Sequence, residues 1–169
     1  MVPKMKAIFT TASPYQKDAL NLPVKNVETA THFYETVMGF RVLSQKDSPH
    51  KSVVLGRDTV QIGLAENGDD PSQDGCFFEV DDVELAFAEL NSNGLKQKEA
   101  NFRIDKYGET TYNVFFVVAP DGLCYCLGER QNYQFRAGMP NSRFLIILFF
   151  FRNSNLFYKI DQSAFPYFC

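Results

Sequence analysis

Residues 22–42 read LPVKNVETATHFYETVMGFRV, and the same phrase restarts at residues 77–94, FFEVDDVELAFAELNSNG. Pro23-Val24-Lys25-Asn26-Val27-Glu28 stands over Glu79-Val80-Asp81-Asp82-Val83-Glu84 at a fixed offset. Ala30 then meets Ala86 and, after one gap, Gly39 meets Gly94. Repetition on this scale marks a duplicated supersecondary unit.

The content of the unit can be read outward from each copy. In the first, Leu20, Leu22 and Val24 alternate, which predicts a half-buried strand over residues 19–24. Pro23 costs that strand a ladder hydrogen bond and puts it at an edge or at its own end. Asn26 suits an N-cap, Val27, Ala30, Phe33, Tyr34 and Val37 follow helical spacing, and Gly39 ends the run. Strand-like runs follow at residues 40–44, 52–55 and 59–64, the last two separated by Gly56-Arg57-Asp58. Residues 65–74 form a polar loop. In the second copy, residues 76–80 predict a strand and Asp81-Asp82 open a helix. Glu84 stands at capping-box distance from Asp81. Val83, Ala86, Phe87 and Leu90 line one face of the helix, and Gly94 stops it. Three more runs follow, at 97–104, 111–118 and 123–127, with Ala119-Pro120-Asp121-Gly122 as the turn between the last two.

Strand, helix, three strands, twice over, defines an α+β fold. Two βαβββ modules form curved mixed sheets around a shared cleft. The domain spans residues 18–130, with modules at 18–66 and 74–130. Residues 1–17 lack periodicity and read as a flexible arm. The chain has 169 residues, 45% hydrophobic and 22% charged, with a net charge of −3. That composition suits one modest globular domain and offers no basic stripe for nucleic acid or an anionic membrane. No run reaches the length of a membrane helix. Cys76, Cys124, Cys126 and Cys169 spell no disulfide framework, so a reducing cytoplasm is expected. The tail, 131–169, is aromatic-rich and includes FLIILFFF at 144–151. A buried strand or wedge, a non-native or disordered extension, and membrane association all stay open for it.

Residues 22–42 and 77–94, together with VFFVVAPDGLCYCLGE at 114–129, resemble the module signatures and closing hairpin of the vicinal-oxygen-chelate superfamily, the glyoxalase/bleomycin-resistance/dioxygenase-like proteins. Ala119 stands where the family's turn carries Asp. The resemblance implies a divalent metal held by side chains on the first and last strand of each module. Those positions fall here on Ala19, Gly63, Gly75 and Cys126, with Gln61 two residues before Gly63. Alanine and glycine offer no side-chain donor. His32 and His50 lie off the predicted cavity strands. The expectation is therefore a site with no metal, no cofactor and no catalytic residue.

The resemblance then points to the metal-free, bleomycin-resistance-like branch. There the cleft sequesters or senses a hydrophobic or cationic small molecule. Candidate ligand-binding residues are Asn21, Gln61, Phe77, Glu79, Asn113, Phe115, Cys124 and Cys126. Phe77 and Phe115 would stack on a ring and Glu79 would pair with a cation. Each has a plainer reading: core for the rings, a solvated strand residue for Glu79, small buried side chains for the thiols. The family implies a homodimer that completes the cleft. The alternatives are a lyase, isomerase or dioxygenase of the same superfamily, and a non-catalytic structural dimer.

Overall fold

A computed structural model describes residues 6–131. The expectations for the tail lie outside the described residues. Nine strands form two sheets. Strand β1 is Phe9–Pro14, β2 Leu22–Pro23, β3 Arg41–Lys46, β4 Ser52–Arg57 and β5 Val60–Ala65. Strand β6 is Gly75–Val80, β7 Arg103–Tyr107, β8 Thr110–Val118 and β9 Cys124–Arg130. Helix α1, Val27–Thr36, separates β2 from β3, and α2, Val83–Ser92, separates β6 from β7.

The repeat in the sequence is a repeat in space. The smaller sheet runs β2-β5-β4-β3, and the larger runs β6-β9-β8-β7 with β1 added beyond β6. In each module the first strand pairs parallel with the last, β2 with β5 and β6 with β9, and the other pairings are antiparallel. The helix starts match as well. Asn26 and Asp82 cap α1 and α2, each accepting a backbone N–H at 2.8 Å. The first helical amides, of Val27 and Val83, donate to Glu66 and Glu129, which sit at the ends of β5 and β9. A carboxylate at a helix N-terminus is favoured by the dipole and satisfies an otherwise orphan donor. Each module thus closes its helix onto its last strand by the same device.

Three expectations need correction. Residues 9–14 are not part of a loose arm: β1 pairs antiparallel with β6, with an irregularity between Phe9 and Thr11. Six mostly small, polar residues carry too weak a pattern to announce a strand, and Phe9, fully buried, is what anchors it. Conversely, the strand expected at 19–24 shrinks to Leu22–Pro23. Asp18 turns the chain first, its carbonyl accepting from Asn21 N and its carboxylate from Leu20 N. The strand expected from residue 97 begins only at Arg103, because Lys96 and Asn101 take positive φ.

One continuous core joins the modules. It includes Leu22, Tyr34, Met38, Leu55 and Ile62 from the first and Phe78, Leu90, Phe115, Tyr125 and Leu127 from the second. Two polar ties cross it. Arg57 at the end of β4 meets Glu89 on α2, and the Tyr34 hydroxyl lies 2.8 Å from that of Tyr125 while donating to Asp121. No helix among the described residues is long and apolar enough to cross a membrane.

Candidate functional site

Side chains alternate across a strand, so the larger sheet has a second face, turned away from the common core. Register across the sheet sets what that face displays. Phe77 pairs with Cys126, and Cys126 with Phe116. Glu79 pairs with Gly128, Gly128 with Val114, and Val114 with Arg103. Arg130 pairs with Tyr112, and Tyr112 with Asp105. The result is a small cluster of its own: Tyr15, Phe77, Tyr112, Val114, Cys124 and Cys126, with Tyr107 and Phe116 packed against it.

Three rings form its centre. Phe77, Tyr107 and Tyr112 lie with centroids 5.1–5.9 Å apart, at mutual angles of 54–74°. Such tilted geometry is the favourable one for aromatic neighbours. Gly128 makes room for it: a Cβ there would come within 2.6 Å of the Phe77 ring. Two ion pairs flank the triad. Arg130 pairs with Glu79 at 3.4 Å and reaches the Tyr112 hydroxyl at 3.3 Å, while that hydroxyl also lies 3.2 Å from Glu79. Arg103 holds Asp105 at 3.0 Å, and the Tyr107 hydroxyl donates to the same carboxylate. Both guanidiniums lie over rings, Arg103 at 4.5 Å from the Phe116 centroid and Arg130 at 5.7 Å from that of Tyr112.

Titration behaviour follows from burial. The Cys126 thiol is pushed up to about 12, chiefly by desolvation and then by the Asp105 charge. Tyr107 and Tyr112 are raised, first by desolvation and then by Cys126 and Glu79 respectively. None of these groups is poised to ionise near neutrality, so this face carries no ready thiolate or phenolate nucleophile.

Of the eight residues expected at a binding site, four come together here: Phe77 and Glu79 on β6, Cys124 and Cys126 on β9. Asn21 is exposed in the turn before β2, where its carbonyl accepts from Asn67. Gln61 is exposed on β5, in the other sheet. Phe115 points the opposite way: it is fully buried in the common core against Phe87 and Phe102, and Asn113 shares its side of β8. The run Val114–Val118 is apolar on both faces, so alternation alone left the phase of β8 open. The pairing of Phe115 with Leu127 settles it. The side chains that take their place, Tyr112, Val114 and Phe116, were missed, as were Tyr15, Arg103, Asp105, Tyr107 and Arg130. The aromatic residues of β7 and β8 were a signal, but no period assigned them to a face.

The fit of a divalent metal can be tested at the family's positions. A side chain at Gly63 would collide with the Leu20 carbonyl, and one at Gly75 with the Cys124 carbonyl. Ala19 lies before β2 and uses its carbonyl on Gly63 N. Cys126 remains, among rings. This set does not fit a metal, and among the described residues no three His, Cys, Asp or Glu converge elsewhere. A cavity of about 540 Å³ lies by Val24, Lys25 and the 66–71 loop; none of the aromatic-face residues lines it.

The fold has known company. A virulence protein from Salmonella typhimurium is 18% identical, with 68% of this chain and 95% of that one covered, at a TM-score of 0.53. A protein from the mobile metagenome of V. Pseudocholerae is 21% identical over 69% and 95%, also at 0.53. A bleomycin resistance determinant encoded on transposon Tn5 is 21% identical over 69% and 99%, at 0.50. At these identities the likeness is one of fold alone. No curated protein matches the chain. Residues 17–122 match the family model of the Glyoxalase/Bleomycin resistance protein/Dioxygenase superfamily. With two βαβββ modules in the expected order and that match over most of its length, the chain belongs to this superfamily.

Proposed function

We propose that this chain is a small-molecule binding protein that sequesters or senses a flat, largely hydrophobic ligand on the second face of the larger sheet, without a metal. The observation that carries the reading is the Phe77–Tyr107–Tyr112 triad, a cluster of rings in which Phe77 and Tyr112 are buried and Tyr107 is partly exposed, flanked by oriented charges. A mostly apolar surface with a few placed polar groups is the usual make-up of a ligand site. The raised thiol of Cys126 argues for binding rather than nucleophilic chemistry. The expected cationic ligand loses its anchor, since Glu79 already faces the chain's own Arg130.

The reading includes a homodimer in which a second subunit completes the cleft. It also includes a cytoplasmic setting. Cys76 and Cys126 are free thiols, but Cys124 is disulfide-bonded, which corrects the expectation of four reduced cysteines and counts against a reducing compartment. The test is a thermal-shift screen of planar aromatic compounds against the protein and Phe77→Ala. Ligands of the native state raise the melting temperature by mass action. The reading requires hits whose shift is lost in the variant; hits that persist undiminished in Phe77→Ala place the site elsewhere.

A further inference from the structure

We infer that the ligand of this face is a planar aromatic anion, its ring against the triad at its partly exposed member, Tyr107, and its carboxylate, sulfonate or phosphate on Arg103 and Arg130. The inference rests on the binding reading above and adds the charge of the ligand.

The argument is one of which charges the face presents outward. Its two carboxylates are the inner members of their pairs: Glu79 is 23% and Asp105 21% exposed. Their partners Arg130 and Arg103 are 51% and 56% exposed. The carboxylates are also already engaged by hydroxyls, Glu79 by Tyr112 and Asp105 by Tyr107. The guanidiniums are not used up. Arg103 turns Nε and Nη2 to Asp105, and Arg130 turns Nε and Nη2 to Glu79 and Tyr112. A guanidinium carries five N–H donors, so each retains Nη1 for a further acceptor. Arginine's planar fork bridges two anions without giving up the first.

A cationic ligand meets the opposite situation. It would have to displace an arginine from Glu79 or Asp105, and in doing so release a guanidinium from the ring on which it rests. An anion adds contacts and breaks none. Arg103 and Arg130 stand on β7 and β9, on either side of β8 with its Tyr112 and Phe116 rings. A ring lying against the triad therefore has a cation to either side.

The test uses three probes of one shape: naphthoate, naphthylmethanol and naphthylmethylammonium, titrated calorimetrically into the full chain. Naphthoate is expected to bind about tenfold tighter than the alcohol, the worth of one charge-assisted hydrogen bond set. Raising salt should weaken naphthoate and leave the alcohol nearly unmoved. Arg103→Gln and Arg130→Gln should each erode the preference for naphthoate, and Arg130→Lys should restore part of it. Circular dichroism and melting confirm that each variant is folded; if one is not, the other arginine and the salt series still decide. An alcohol or ammonium probe that binds as tightly as naphthoate, or a preference that survives both glutamine variants, overturns the inference and leaves the binding face standing. Failure of all three probes to bind overturns the binding reading and the inference together.

Discussion

The Arg57 guanidinium and the Glu89 carboxylate meet at 2.8 Å with their side chains 5% and 1% exposed. The pair joins β4 of the first module to α2 of the second, and it does more than pair. Arg57 also donates to the carbonyls of Met38 and Ala7, while Glu89 accepts from Ala7 N. The Phe9 ring covers the guanidinium at 4.0 Å. Chain entry, both modules and one helix are tied at a single ionic knot. A buried pair is stabilising only where its remaining donors and acceptors are met, and here they are.

Removing one member should therefore be severe. Glu89→Gln leaves the buried guanidinium only Asp58, at 3.5 Å and more than a third exposed, as counter-charge, and a loss of up to about 3–5 kcal/mol is expected from urea unfolding. An apolar double replacement, Arg57→Met with Glu89→Leu, removes both charges but strands the backbone groups of Ala7 and Met38. It should stay below the parent by about 1–3 kcal/mol for each group left unmet. A double variant as stable as the parent would show that the knot contributes nothing.

The phase of β8 predicts opposite fates for two adjacent phenylalanines. Phe115 is fully buried under α2, so Phe115→Ala should lose about 3–5 kcal/mol of stability. Phe116 is partly exposed beneath Arg103. Phe116→Ala should lose under about 1.5 kcal/mol, near the range for less buried sites, and should reduce ligand-induced melting shifts. Denaturation of the two variants side by side checks the assignment; equal losses would contradict it.

These two residues also show what the sequence carried and what it did not. The helices were legible because their apolar positions recur at helical spacing and Asn26 is the expected cap; the second cap is Asp82, one residue after the Asp81 from which the capping box is counted. The duplicated order of strands was legible because each copy is punctuated by glycine. The β8 phase was not, because Val114–Val118 is apolar throughout, and only pairing with β9 chooses a face. Phe77, Glu79, Cys124 and Cys126 were placed together because their strands alternate against a known core. Asn21 and Gln61 do not join them for a tertiary reason: the first module's strands belong to a different sheet. Arg57 and Glu89 were invisible, since a buried ion pair between remote segments leaves no local pattern.

Alkali should destabilise this domain through buried acids that stay neutral at lower pH. Burial raises the folded-state Cys126 thiol from 9.0 to about 12 and lifts Tyr34 and Tyr125 well above 10.0. A raised acid keeps its proton in the folded state while the unfolded chain has already lost it. The stability it confers is complete below the unfolded pKa and is lost as pH rises through the folded one. The urea midpoint should hold steady up to about pH 9 and fall steadily from there towards pH 12, with the thiols of Cys76 and Cys126 resisting alkylation until unfolding. Rapid alkylation of Cys76 or Cys126 in the native protein at neutral pH would contradict the burial argument.

Metal content is the sharpest check on the missing donor set. Protein purified without chelators should carry far less than one equivalent of nickel, zinc, manganese or iron by elemental analysis. The reason is steric as much as chemical. At Gly63 the Leu20 carbonyl occupies the space a Cβ needs, and at Gly75 the Cys124 carbonyl does the same. Supplying donors by mutation should therefore fail to build a site. Gly63→His, placed where the family would carry a ligand, must push the turn before β2 off the sheet. It should lower stability by at least the roughly 1–3 kcal/mol typical of overpacking, and added zinc should not restore it. Recovery of the melting temperature with stoichiometric zinc would mean that the first module accepts a metal after all, and that the close approach of Leu20 to Gly63 yields to a ligand.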